Sequence, residues 1–164
     1  MFAEGTFNAA FIPSYADEKL KGENEGKKFA DEVVEQSFIH RLIKGEELSL
    51  SNIELRFGIG GPPVLIGAHY DTRPFADEEP NPSLRTLPIL GANDGGSGTA
   101  VLLALARYLH ENPPKQSVRL VFFDGEDYGV KGSSEYLLGS THYAGHLKKQ
   151  DRDEWPLCVL VIDM

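Results

Sequence analysis

Side chains that could bind a metal or move a proton follow three apolar segments of the sequence, where each segment ends. They are His69 and Asp71 after residues 64–68, Glu126 and Asp127 after residues 118–124, and Asp163 at the end of residues 157–163. Another acid, Asp94, lies in the glycine-rich segment 91–98. One imidazole with several carboxylates is a ligand set suited to zinc, with manganese or cobalt as alternatives. The residue types therefore predict a metal site.

The three apolar segments are typical of buried β-strands, because they are rich in branched and aromatic residues. Residues 99–111 and 140–149 predict helices between them. This order indicates right-handed crossovers and an α/β fold with three layers, in which a mostly parallel central sheet has helices on both faces. The carboxyl ends of parallel strands lie at one edge of a sheet, so we expect the candidate side chains to converge there.

The remaining segments give weaker predictions. Residues 16–35 have the spacing of a surface helix with a narrow buried stripe. Residues 48–57 alternate as L-S-L-S-N-I-E-L-R-F, which predicts a half-buried strand near an edge of the sheet. Residues 73–90 predict a long loop with several prolines, and loops of this length are usually functional or disordered. From the chain length we expect one domain over residues 1–164.

The composition limits the classes of partner. A net charge of -9 argues against nucleic acid and anionic membranes as partners. No apolar run approaches the roughly 20 residues that span a bilayer. The first residues lack the basic and apolar regions of a signal peptide, so a cytoplasmic location is expected if Met1 is the native start, and the compartment is otherwise open. The single cysteine, Cys158, lies in an apolar run and is predicted to be a buried, inert thiol.

Each candidate residue also has a simpler interpretation when it is taken alone. Glu126 and Asp127 could form a solvated turn, and Asp94 could cap the following helix. His69 could be a core histidine bonded to Asp71, and Asp163 could be an ordinary residue at the end of a strand. The metal site is favoured because the simpler interpretations would all have to hold at once.

Four motifs together resemble the zinc exopeptidase family that contains bacterial leucyl aminopeptidases and glutaminyl cyclases. They are G-A-H-Y-D-T at 67–72, G-A-N-D-G-G-S-G at 91–98, F-F-D-G-E-D at 122–127 and V-I-D-M at 161–164. The resemblance extends from the end of the alternating segment to the last residue, whereas residues 1–51 match poorly. It implies an enzyme with one or two zinc ions and a peptide or peptide-like substrate with a free N-terminus.

The resemblance also implies roles for the metal ligands. Asp94 would bridge two metal ions, or bind the single zinc of the cyclases. His69 and Asp163 would complete one metal site, and Asp71 would orient the imidazole of His69 without binding the metal itself. Asp127 would bind the other metal, at a position where the family more often has glutamate.

Glu126 would be the general base and acid in either branch of the family. In an aminopeptidase it would pass a proton from water to the leaving amine. In a cyclase it would move a proton from the α-amine of the substrate towards the amide leaving group. The cyclase branch is favoured because a long segment, residues 128–138, separates the acid pair from Gly139-Ser140, and because F-F-D-G-E and Arg73-Pro74 are cyclase-like.

The sequence departs from the family after its last motif. Family members continue past this point and contribute a later histidine to the metal shared by Asp94 and Asp127. The chain therefore resembles a family member without its C-terminal part, and the alternative to an enzyme is a truncated, inactive relative. A sheet edge left open in this way would favour self-association or pairing with a missing C-terminal half.

Overall fold

Strands and helices alternate along the chain after an initial pair of strands. The computed structural model describes residues 33–43, 46–129 and 133–163. The elements are β1 (Val33–Ile43), β2 (Glu46–Phe57), β3 (Gly60–His69), α1 (Gly96–Glu111), β4 (Gln116–Phe123), α2 (Leu138–Leu147) and β5 (Cys158–Val161), with short 3-10 helices at Pro82–Leu84 and Arg152–Glu154. The three apolar segments predicted as strands are β3, β4 and β5, and both predicted helices are present.

The sheet is mixed, and its parallel part carries the carboxyl ends that matter for the site. The strand order is β1-β2-β4-β3-β5. β3 pairs in parallel with β4 and with β5, whereas β2 pairs antiparallel with both β1 and β4. Of the two antiparallel pairings, that of β1 with β2 joins consecutive strands, as in a hairpin, with Ile43 opposite Glu46.

The two helices lie on opposite faces of the sheet, as predicted for a three-layer α/β fold. Leu120 and Phe122 of β4 belong to the core cluster that includes the buried face of α1. The intervening residues Val121 and Phe123 point to the other face, where they pack with Tyr143 of α2. The period of two along β4 thus divides its side chains between the two helical layers.

The N-terminal part of the chain corrects two predictions. The helix predicted over residues 16–35 is wrong for Val33–Glu35, which belong to β1, and residues 16–32 lie outside the described residues. β2 was expected near an edge but lies between β1 and β4. The alternation in β2 separates two buried faces: Ile53 and Leu55 join the core under α1, whereas Asn52 and Glu54 are buried on the α2 side.

β5 corrects a third prediction. Its residues were expected to be buried, and Cys158 to be inert for that reason, but all four residues of β5 and the thiol of Cys158 are exposed. β5 is the last strand of the described sheet and pairs there with β3 alone, so its apolar sequence correctly predicted a strand but not its burial.

The predicted long loop connects β3 to α1. It is irregular apart from Pro82–Leu84, and residues 80–90 are exposed. Among the residues that the structure describes, neither helix has the length and apolar character needed to span a bilayer.

Candidate metal centre

The centre of the site is His69, the last residue of β3, whose side chain is 3% exposed. Its Nε2 atom lies 2.9 Å from Oδ1 of Asp94 and 3.4 Å from Oδ1 of Asp163. Each of these three residues offers a ligand atom within 4.8 Å of the others. The structure therefore brings together three of the four predicted metal ligands, and their separation suits a single ion.

Three different elements deliver these ligands to one point. His69 is paired with Phe123 across β3 and β4, and Asp163 follows β5, which runs parallel to β3. Asp94 precedes α1, and its carbonyl accepts a hydrogen bond from Thr72 Oγ1 at 3.1 Å. The site thus forms at the carboxyl edge of the parallel strands, where ligands of open α/β sheets bind.

Gly95 allows the turn before α1 to approach β3 closely. Its φ of +80° is strained for residues that have a Cβ atom. A Cβ atom at this position would lie 2.2 Å from the carbonyl oxygen of Asp71 and 3.4 Å from Cε1 of His69. Glycine here is therefore what lets Asp94 reach His69.

Asp71 connects His69 to the pair of acids after β4. Its Oδ1 lies 3.5 Å from Nδ1 of His69, which is an ion-pair distance, and among the described residues this nitrogen has no hydrogen-bond partner. Both carboxylate oxygens of Asp71 instead accept backbone hydrogen bonds, from the N–H of Glu126 at 2.9 Å and of Asp127 at 3.0 Å. Asp71 therefore fixes the position of the acid pair relative to β3.

Glu126 is half-buried beside the ligand cluster. Burial raises its pKa to about 7; the charge of His69 opposes this shift, and the neighbouring carboxylates, Asp163 first among them, add to it. A carboxyl group with a pKa near neutrality can both accept and return a proton. Its environment therefore suits the predicted role in proton transfer.

Asp127 is 7% exposed and is not part of the three-residue ligand group found among the described residues. Burial is the largest cause of its raised pKa, and the charge of Asp94 is the next. The two carboxylates are therefore electrostatically coupled, although the structure shows no shared ligand position for them.

Two residues near Asp127 were missed by the sequence reasoning. Tyr136 interacts electrostatically with the carboxylate of Asp127, because burial together with the charge of Asp127 raises the tyrosine pKa to about 12. The guanidinium of Arg73 donates from Nη1 to the carbonyl of Asp127 at 3.4 Å. Arg73 was noted as a cyclase-like feature, but no pattern in the sequence pairs either residue with Asp127.

The electrostatic balance of the site favours a bound cation. Burial lowers the pKa of His69, yet the carboxylate of Asp71, with those of Glu126 and Asp127, raises it to about 9. The carboxylates thus hold a proton on a buried imidazole against its desolvation. The same field would stabilise a divalent cation at Nε2, and an imidazole with two carboxylates is a known donor set for zinc. The residues present therefore fit a zinc ion.

Fold and site together define a class of protein, namely an α/β protein with histidine and carboxylate ligands at the carboxyl edge of parallel strands. The model of one family, peptidase family M28, matches residues 59–164. The chain belongs to this family, which confirms the resemblance that the four motifs predicted.

Relatives of both predicted branches are found. The chain is 38% identical over 88 residues to aminopeptidase YwaD of Bacillus subtilis, a match that covers 54% of this chain and 15% of the relative. It is similar to Porphyromonas gingivalis glutaminyl cyclase with a TM-score of 0.69 and 32% identity, covering 84% of this chain and 48% of that one. A Zn-dependent exopeptidase from Parabacteroides distasonis gives a TM-score of 0.70 at 25% identity, covering 99% and 62%. The chain thus spans 62% or less of each of these proteins.

Proposed function

We propose that this chain carries the zinc-binding part of an enzyme that acts on the N-terminal residue of peptides. The observation that carries the proposal is the cluster of His69, Asp94 and Asp163 beside Glu126, a carboxyl group whose pKa is about 7. A ligand set next to a group able to move protons at neutral pH is the minimum that metal-assisted acyl chemistry requires.

His69, Asp94 and Asp163 would hold one zinc ion, and Asp127 with Asp94 would provide part of a second site. Bound zinc supplies a Lewis acid that withdraws electron density from a substrate carbonyl. Asp71 would hold the imidazole by charge and the turn carrying Glu126 by hydrogen bonds. Support for the second ion is the coupling between Asp94 and Asp127.

The favoured reaction is cyclisation of an N-terminal glutaminyl residue. The α-amine would attack the side-chain amide carbon, and Glu126 would take the proton from the amine and pass it to the departing ammonia. Burial, which raises the pKa of Glu126 in the metal-free protein, favours a group that can both take and return a proton. The similarity to Porphyromonas gingivalis glutaminyl cyclase and the long segment between Asp127 and α2 support this branch.

The alternative is hydrolysis of the first peptide bond. Glu126 would then take a proton from the attacking water and return it to the leaving amine. The identity to aminopeptidase YwaD supports this alternative. The two reactions share the ligands and the proton carrier, so the fold by itself does not choose between them.

A zinc titration combined with two substrates separates the candidates. Release of ammonia from an N-terminal glutaminyl peptide that keeps its length supports the cyclase. Release of the leaving group from a leucyl amide supports the aminopeptidase. A protein that retains no zinc and acts on neither substrate contradicts both, and the chain would then be an inactive relative.

Glu126→Gln tests the proton carrier. We expect the rate to fall by about 10²–10⁴-fold, the usual contribution of general acid–base catalysis, while the zinc content stays near that of the wild type. Glu111→Gln makes the same change on the exposed end of α1 and should leave rate and zinc content unchanged. Loss of zinc in Glu126→Gln would show that Glu126 is a ligand instead.

A further inference from the structure

The long loop after β3 is tied to the acid pair by one side chain, Arg73. Its Nε donates to Oδ1 of Asp77 at 2.5 Å, and its Nη2 donates to Oδ2 at 2.8 Å. Its Nη1 donates to the carbonyl of Asp127 at 3.4 Å and to that of Gly129 at 3.3 Å. All three nitrogens of the guanidinium are therefore engaged, two by the loop and one by the turn that follows β4.

This arrangement differs from an ordinary surface ion pair of the same spacing. Arg107 and Glu111 also lie four residues apart, and their side chains are 50% and 57% exposed and meet at 3.3 Å. The side chain of Asp77 is 53% exposed as well, but that of Arg73 is 16% exposed and also donates to backbone carbonyls of the turn after β4. Exposed pairs contribute little to stability, whereas a largely buried guanidinium with a bidentate partner fixes the geometry of what it touches.

The residue that Arg73 touches is held through both polar groups of its backbone. The N–H of Asp127 donates to Oδ2 of Asp71 at 3.0 Å, and its carbonyl accepts from Nη1 of Arg73 at 3.4 Å. The backbone of Asp127 is thus fixed by two residues of the segment that follows β3.

We propose that Arg73 is a positioning residue that, braced by Asp77, fixes the backbone of Asp127 and with it the direction of the Asp127 carboxylate and the neighbouring Glu126. The proposal rests on the proposed function for its catalytic consequence. Docking of the loop that carries Asp77 then becomes a condition for an ordered acid pair. Preorganisation of this kind reduces the motion that must be lost when metal and substrate bind.

Lysine cannot replace Arg73 in this role. Its ammonium is a single compact centre, whereas the planar guanidinium reaches the carboxylate of Asp77 on one side and two carbonyls on the other. Arg73→Lys therefore keeps the positive charge but removes the set of hydrogen bonds that joins Asp77 to the two carbonyls. Asp77→Asn keeps Arg73 and weakens only its brace, so it should act in the same direction with a smaller effect. Arg107→Lys is the matched control on α1.

The first measurement is amide hydrogen exchange in the metal-free protein. We expect Arg73→Lys to increase exchange at the N–H groups of Glu126 and Asp127 by about tenfold or more, with exchange in the centre of β4 unchanged. Asp77→Asn should give a smaller increase and Arg107→Lys none. Unchanged exchange at Glu126 and Asp127 in both site variants would overturn the proposal, whether or not the protein binds zinc.

The second measurement uses the metal. Residues that support a metal ligand from behind typically change metal affinity or activity by about 10–100-fold. We expect Arg73→Lys to weaken binding by that factor, to alter the visible spectrum of the cobalt-substituted protein and to lower kcat more than it raises KM. A wild-type spectrum and affinity in Arg73→Lys would contradict the proposal. If the wild-type protein binds no metal, the proposed function is contradicted. The role of Arg73 is then decided by the hydrogen-exchange measurement.

Discussion

Two clusters of polar and charged residues lie on different parts of the sheet. In one the acids and bases neutralise each other, and in the other the acids are in excess. The cluster on the α2 side consists of Glu54, Arg56, Arg119, Tyr143 and Glu154. Glu54 and Arg119 are 4% and 5% exposed. Glu54 receives hydrogen bonds from Tyr143 and from Arg56, both at 2.5 Å, and lies 3.7 Å from Arg119, which also pairs with Glu154. Its buried acid and buried base therefore satisfy each other.

The cluster at the carboxyl edge of β3, β4 and β5 has one imidazole, His69, facing several acids. The acids there raise the pKa of His69, and the pKa values of Glu126 and Asp127 are raised as well. Arg73, the guanidinium at this edge, is already bonded to Asp77. The contrast shows how to tell a structural charge network from a binding site: the first is neutralised by its own residues, and the second needs a cation from outside.

The largest expected effect on stability comes from breaking the balanced cluster. Glu54→Gln removes the buried carboxylate that Arg56, Arg119 and Tyr143 share, and among the described residues it leaves the guanidinium of Arg119 with the half-exposed Glu154 alone. We expect the free energy of unfolding to fall by about 4 kcal/mol, measured by urea denaturation of the metal-free protein at neutral pH. Glu111→Gln, a change of the same type at an exposed position, should shift it by less than about 0.5 kcal/mol. Equal effects for the two variants would show that the buried charge network contributes no more to stability than an exposed ion pair.

Asp124 sharpens the comparison, because it is a buried acid whose partners among the described residues include no guanidinium or ammonium group. Its Oδ2 accepts from the N–H of Ser51 at 2.8 Å and from the hydroxyl of Tyr70 at 3.0 Å. Burial raises its pKa from 3.8 to about 6. The folded protein therefore binds more protons than the unfolded chain between these values, and the free energy of unfolding falls as pH rises through that window.

The contribution of Asp124 to this pH dependence should be about 3 kcal/mol, obtained as the difference between wild-type and Asp124→Asn unfolding curves. The variant removes the titrating group and should flatten that part of the profile. An Asp124→Asn profile parallel to that of the wild type would show that another group is responsible.

The smallest effect on stability is expected for the acid-rich cluster at the carboxyl edge of the sheet, where a substitution should stabilise the metal-free protein. Asp127→Asn removes a buried charge from a cluster with too many, so the metal-free variant should be more stable than the wild type by about 1 kcal/mol. Added zinc should raise the melting temperature of the wild type more than that of the variant. A clear loss of stability in the metal-free variant would mean that Asp127 is structurally satisfied, like Glu54.

Much of the site could be predicted because it depends on strand ends. His69, Glu126 and Asp163 each follow an apolar run, and parallel pairing places the ends of such runs at one edge whatever the details of packing. The partners of Asp127 could not be predicted in this way. Arg73 and Tyr136 reach it from segments without regular structure, and these interactions exist only once those segments have docked.

The misjudged strands have a different cause. Alternation in β2 correctly separated its apolar and polar sides, but a pattern of side chains carries no information about whether a helix covers the polar side. α2 does cover it, so Glu54 is buried with Tyr143 as its partner. In β5 burial was overestimated. An apolar run predicted a buried strand, but Cys158 and its neighbours are exposed.

The position of β3 between two parallel partners, β4 and β5, has a consequence for how the protein acquires its site. His69 lines up with Phe123 on one side of β3, and Gly67 lines up with Val161 on the other, so both pairings join segments distant in the chain. Contacts of this kind form slowly, because long loops must close before the pairing is gained. No local segment can hold the ligands together before the sheet has formed, so the free energy of metal binding would contribute to the free energy of folding. Refolding should then be followed more sensitively by metal uptake than by the appearance of helix.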